Sequence, residues 1–310
     1  MIERAREDVT FAWGAEQLAG TLHLPTSPAP HPAVLMLQGS GPDNRYSGEY
    51  FLPIRDVFLS RGIATFSFDK SGIGGSSGDW RRHALGDRAD QALTAIALLR
   101  EHPALDPQRV GVWGHSQGGW LVQMLAAQLS DLAFVIANSG PGISVEQQNL
   151  YGCEHSMRAA GRSEDDIERA VAFMHAVHAA ALRGDDYATA ERQLLAPARG
   201  EPWSSYLPLD DEGLWGLICA FVAERYEPEE ALARVRCPIL AIFGARDVVV
   251  PAWESAEIYS RALRAADNHD ATIIVFPQGD HRIEVKATGA FAEGYLDLLA
   301  DWAARRIAAR

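Results

Sequence analysis

Six short apolar runs punctuate the chain, each closed by small or acidic residues: AVLMLQG, IATFSFD, VGVWG, FVIANSG, PILAIFG and TIIVFPQG. They are hydrophobic without alternation, the pattern of strands buried on both faces of a parallel sheet. Between them, over residues 87–101 and 120–129, apolar positions recur at spacings of three and four, which predicts helices with one buried face. Strand alternating with helix makes an α/β fold whose crossovers are right-handed. Ahead of this alternation, FAWGAEQLAGTLHLP reads as two short strands around Gly14-Ala15-Glu16-Gln17, a hairpin.

The alternation stops near residue 142 and resumes near 237, and the pattern between is almost wholly helical. Ser163-Glu164-Asp165-Asp166 resembles a capping box that opens a helix through about Leu182. A second amphipathic stretch, EGLWGLICAFVAERY, ends before Pro228. The expected organisation is a core of residues 1–141 and 231–310 with a helical cap, 142–230, inserted over the edge of the sheet.

Charge changes the picture of partners. The net charge of −13 argues against nucleic acid, which is bound through basic faces. The acidity is uneven: residues 142–230 hold seven Arg, no Lys and seventeen Asp and Glu. No apolar run reaches the ~20 residues of a membrane span, so membrane insertion is not expected. Cys153, Cys219 and Cys237 lie far apart, which speaks against a disulfide framework or a structural zinc site. The opening MIERAREDVTFAW has charges but no apolar h-region, so a cytoplasmic protein is expected. Oligomeric state leaves no signature.

Ligands of an open parallel sheet bind beyond the carboxyl ends of its strands. Three of those ends carry reactive side chains. Ser116 follows VGVWG in GHSQGG, a strand-turn-helix context in which Gly114 and Gly118 leave room for the chain to double back. Asp247 follows PILAIFG, and His281 follows TIIVFPQG. A serine alcohol is too weakly acidic to attack unaided, so a base must take its proton. An imidazole titrates in the right range, and a carboxylate would fix its tautomer. Asp280 also neighbours His281, but adjacent residues are poorly placed for that orienting bond.

Other features read more plainly. Lone Gly-x-Ser-x-Gly matches arise by chance, and it is the ordered Asp and His that give this one weight. His115 packs against or braces the turn. His175 and His178 are spaced for a metal on a helix but lack a third ligand nearby. SGIGGSSG at 71–78 approaches a dinucleotide fingerprint without its spacing, and reads as a turn. Phe173, Trp203, Tyr206, Trp215 and Phe221 read as core of the cap, some of them facing inward. No cofactor is called for.

From about residue 10 to 305 the chain resembles an α/β-hydrolase with a helical cap, closest to a bacterial esterase branch whose first loop reads His-Gly-Ser-Gly-Pro. The resemblance rests on GHSQGG at 114–119, FGARDVVVP at 243–251, GDH at 279–281 and QGSGP at 38–42. Gln38 stands where that branch usually has His, and Ser71 where its Asp-x-Arg-Gly-x-Gly turn has Arg. The resemblance implies Ser116 as nucleophile, His281 as base, Asp247 as its orienting acid, and the backbone N–H groups of Gln117 and Ser40 as oxyanion donors. The implied reaction is hydrolysis of a small-molecule carboxylic ester through an acyl-enzyme; the acid excess over residues 142–230 adds the expectation that neutral or cationic esters are preferred. Amide hydrolysis of an aminopeptidase kind is the rival. Thioester hydrolysis and a non-catalytic binding role on the same fold stand behind it.

Overall fold

The computed structural model describes residues 3–206 and 211–309. The outermost ends of the expected core, Met1, Ile2 and Arg310, lie outside the described residues. The apolar runs form one sheet of eight strands: β1 (Glu3–Trp13), β2 (Glu16–Pro25), β3 (His31–Leu37), β4 (Ala64–Phe68), β5 (Leu105–His115), β6 (Val135–Asn138), β7 (Ile239–Gly244) and β8 (Ala271–Phe276). Their spatial order is β1-β2-β4-β3-β5-β6-β7-β8. The hairpin strands β1 and β2 are antiparallel, β2 meets β4 antiparallel, and every pair from β4 to β8 is parallel.

The hairpin strands run longer than the two short strands expected, because β2 is an inner strand with a buried face against β4. β8 departs from the expectation of burial on both faces. It is the edge of the sheet, and its residues from Thr272 on are half-buried.

Helices cover both faces. α2 (Leu85–Glu101), α3 (Gln117–Gln128) and the helix Ala252–Ala265 pack their apolar stripes on one side. α1 (Phe51–Ser60) and the helix Tyr295–Ala308 pack on the other, where Phe51, Phe58, Trp113 and Trp302 are buried.

Between β6 and β7 the described residues are mostly helical. α4 (Val145–Ala159) starts from a capping box that the spacing did not single out: Ser144 Oγ accepts from the Gln147 N–H, and the Gln147 side chain accepts from the Ser144 N–H. α5 (Glu164–Arg183) is capped by Ser163, whose hydroxyl accepts from the Asp166 N–H while also donating to the Asp166 carboxylate. Two small apolar clusters hold this segment, one around Met157, Ile167 and Trp203 and the other around Val177, Leu195 and Trp215. The helix Pro228–Leu232 straddles the expected boundary at 230, with Leu232 buried in the main core.

Candidate active site

Three loops at the carboxyl ends of β5, β7 and β8 bring Ser116, Asp247 and His281 to one rim of the sheet. Ser116 sits where β5 breaks directly into α3, at φ 55° and ψ −117°. That lies outside even the left-handed helical region that non-glycine residues occasionally visit. Two hydrogen bonds hold the turn: the Ser116 N–H donates to the Asn138 carbonyl at 2.9 Å, and its own carbonyl accepts from Gly119 N–H at 2.8 Å. The glycines are required by close approach. A Cβ on Gly114 would fall on the Gly118 carbonyl oxygen, and one on Gly118 would lie 2.5 Å from that of Leu37. Gln117 is the first residue of α3, where backbone N–H groups have no acceptor within the helix.

His281 Nδ1 and Asp247 Oδ2 are 2.7 Å apart. The Asp247 side chain is fully buried, and its other oxygen accepts from the N–H groups of Val249 at 2.7 Å and Val250 at 2.9 Å. These bonds fix the carboxylate, and the carboxylate fixes the ring. His281 Nε2 is then the nitrogen left for proton transfer. Among the described residues it makes no hydrogen bond to the Ser116 hydroxyl, a contact that often tightens only with substrate in place. Asp280 does something else: its Oδ1 accepts from the N–H groups of Arg282 and Glu284 and shapes the loop.

His115 packs between functional neighbours. Its ring centroid lies 4.8 Å from that of His281 and 4.9 Å from that of Tyr50. Burial, then the charges of His281 and Arg282, push its imidazole well below the usual histidine range, so it stays neutral. Its Nδ1 lies 3.3 Å from Asn138 Nδ2, and the Asn138 side-chain Oδ1 accepts from Tyr295 Oη at 2.8 Å. Asn138, Tyr50 and Tyr295 are buried polar supports of the rim that the sequence reading missed. Asn138 ends an apolar run, Tyr50 caps α1 and Tyr295 opens the last helix, with no local signal of their own.

The loop after β3 passes close to the serine. A Cβ on Gly39 would lie 3.3 Å from Ser116 Cβ, which places Ser40 beside the turn. Gln38, in the position of the usual His, anchors this loop by donating to the carbonyls of Phe68 (2.5 Å) and Asn44 (3.1 Å). Ser71, in the position of the usual Arg, donates to Glu16 and accepts from Gln91. A guanidinium still reaches the acid of that turn, because Arg45 pairs with Asp69 at 2.6 Å.

The helical segment touches the rim through α4. Tyr151 Oη, Ser156 Oγ and Gln148 Nε2 donate to the carbonyls of Asp247, Val248 and Val249. Beside this contact lies a cavity of about 620 Å³, walled by Met174, Leu217, Ile218, Phe221 and Val249, with Glu146, His178 and Glu227 among its polar groups. Ser40, Ser116, Gln117 and His281 do not line it. Of the aromatic residues expected in the segment's core, Trp203 and Trp215 are buried there, while Tyr206 and Phe221 face the cavity. His178 pairs with Glu146 at 3.1 Å, tying α5 to α4. Among the described residues no three potential ligands cluster to hold a metal ion.

An open, mostly parallel sheet with a serine on a strand-to-helix turn, and aspartate and histidine after two later strands, defines an α/β-hydrolase. The chain belongs to the X-Pro dipeptidyl-peptidase (S15) family, whose model it matches over residues 14–282. It is 25% identical over 292 residues to the mitochondrial palmitoyl-protein thioesterase ABHD10 of Mus musculus, covering 89% of this chain and 82% of that protein. Its fold matches an esterase of Pyrococcus furiosus with a TM-score of 0.65 at 16% identity, over 97% of this chain and 91% of the other. It also matches a proline iminopeptidase of Mycobacterium smegmatis with a TM-score of 0.61 at 16% identity, over 98% and 99%. The protein is a hydrolase of this class.

Proposed function

We propose that the protein hydrolyses a carboxylic ester through an acyl-enzyme, with Ser116 as nucleophile, His281 as base and Asp247 as orienting acid. The observation that carries this reading is the 2.7 Å Asp247–His281 bond on the same rim as a serine held in a strained conformation. Ser116 Oγ adds to the acyl carbon as its proton passes to His281 Nε2. Asp247 holds the ring and stabilises the imidazolium. The N–H groups of Gln117 and Ser40 receive the oxyanion. Collapse expels the alcohol, which leaves with the proton from His281. Water then repeats the steps and releases the acid.

The cavity beside the Asp247 loop supports a substrate with an apolar group of moderate size reaching under the helical segment, which acts as a cap. The family and the acidic groups on the cavity wall, Glu146 and Glu227, favour a second reading, cleavage of an amide next to a free amine. A panel of p-nitrophenyl esters, acyl thioesters and X-Pro anilides separates the readings. The expected result is the highest kcat/KM on an ester of medium chain length. Faster turnover of an X-Pro anilide than of every ester would install the peptidase reading in its place.

A further inference from the structure

Two cations are buried directly behind the loop that carries Ser40. Lys70 is 3% exposed and Arg88 7% exposed. Lys70 Nζ donates to the carbonyls of Gly39 and Gly41, each at 2.5 Å. Arg88 Nη1 donates to the Gly39 carbonyl at 3.4 Å and to the side-chain oxygen of Gln117. Among the described residues neither cation lies within 4.0 Å of a carboxylate. Among the described residues, Asp43 is the acid whose charge offsets them. Burying unpaired charge is costly, and two like charges on one carbonyl oxygen more so. Such an arrangement persists where the rest of the fold imposes it, and it calls for a function.

Peptide geometry supplies one. In a trans peptide the C=O and the following N–H point in opposite directions. A Gly39 carbonyl drawn back onto Lys70 and Arg88 therefore aims the Ser40 N–H the other way. A cation on the carbonyl oxygen also polarises the amide, which makes its N–H a stronger donor. Arg88 reaches both residues whose N–H groups would receive the oxyanion, Ser40 through the Gly39 carbonyl and Gln117 through its side chain.

Resting on the hydrolase mechanism above, we propose that Lys70 and Arg88 are positioning residues of the oxyanion hole: they aim the Ser40 and Gln117 donors and place two positive charges behind the developing oxyanion. Burial works against both charges: it pushes the Lys70 ammonium, with Arg88's charge adding to the effect, well below the usual lysine range, and pushes the Arg88 guanidinium down to about 10. The carbonyl contacts therefore carry the assignment, and the fold holds these groups at a cost.

The test reads the oxyanion without needing the natural substrate. A fluorophosphonate probe phosphonylates an activated serine: Ser116 Oγ would bond to phosphorus, fluoride would leave, and the serine proton would pass to His281. The phosphoryl oxygen enters the oxyanion hole as this happens. Labelling rates, kcat and KM on p-nitrophenyl butyrate, and Tm are measured for Lys70→Met, Arg88→Met, Arg88→Lys and Ser116→Ala. Lys70→Met and Arg88→Met should each lower labelling rate and kcat together by about 10²-fold, the order of losing one oxyanion donor, with KM little changed. Arg88→Lys should recover most of that loss. If Lys70→Met does not fold, the two Arg88 variants carry the test. Full labelling rate and kcat in folded Met variants would overturn the proposal while leaving the triad intact. So would a fall in Tm with an unchanged labelling rate. Undiminished labelling and turnover in Ser116→Ala would instead remove the mechanism on which the proposal rests.

Discussion

The rim of the sheet and the helical segment above it are held by different forces. At the rim, position is over-determined. Ser116 is pinned by two backbone bonds and two glycine approaches, and the Asp247 carboxylate accepts three hydrogen bonds while fully buried. In the helical segment two small apolar clusters, separate from the main core, do most of the holding. Its ion pairs, such as Arg158 with Glu154 and Glu164 or Arg169 with Glu201, join largely exposed side chains and contribute little each. The contrast separates two jobs. On the proposed mechanism the rim would set which reaction is possible, because reacting atoms tolerate errors well below an ångström. On the proposed function the segment would set which molecule reaches it, with a wall of Met, Leu, Ile and Phe able to adapt to an apolar group.

Changes at the rim should therefore alter chemistry with little effect on the fold. The largest loss is expected for Ser116→Ala: roughly 10⁶-fold in kcat, as for other triad nucleophiles, with Tm within a few degrees of the parent. Residual esterase above a thousandth of the parent rate would break the assignment of the nucleophile. Asp247→Asn should cost about 10⁴-fold, because it favours the wrong imidazole tautomer. Asp280→Asn should cost no more than about tenfold, since its carboxylate accepts loop N–H groups and leaves His281 alone. A reversal of that order, measured as kcat/KM on one ester, would move the orienting role to the neighbouring residue.

Changes in the segment should alter selection and spare the chemistry. Leu217→Trp fills cavity space, so kcat/KM for a long-chain ester should fall about tenfold, the loss of one or two well-packed methylenes, while acetate ester turnover stays within twofold. Equal losses on both esters would mean that the cavity does not hold the acyl or alcohol group. The smallest effect expected is electrostatic. The acid excess over residues 142–230 should favour an ester bearing an amine over a matched ester bearing a carboxylate by about threefold at low salt. That preference should vanish at 0.5 M salt, where screening acts within roughly 4–5 Å. A preference for the anionic ester would give the buried cations Lys70 and Arg88 the upper hand in recognition.

Much of the rim is legible in the chain because its signals are local. A run that is apolar without alternation marks a buried strand, and a serine between glycines at the junction with a helix marks the turn. Their order along the chain marks the sheet ends at which Asp247 and His281 emerge. The preference for Asp247 over Asp280 also follows from backbone geometry alone, as adjacent side chains point apart. Tertiary structure decided the rest. It made β8 an edge strand, placed Arg88 of α2 and Lys70 after β4 on one carbonyl of a third loop, set Asn138 and Tyr295 behind His115, and opened a cavity between α4, α5 and the helix Glu212–Glu224. These contacts join residues tens to hundreds of positions apart. Periodicity reports which face of an element is buried, but not against what. Whether a lone buried lysine is a defect or a support is written only in the groups that surround it.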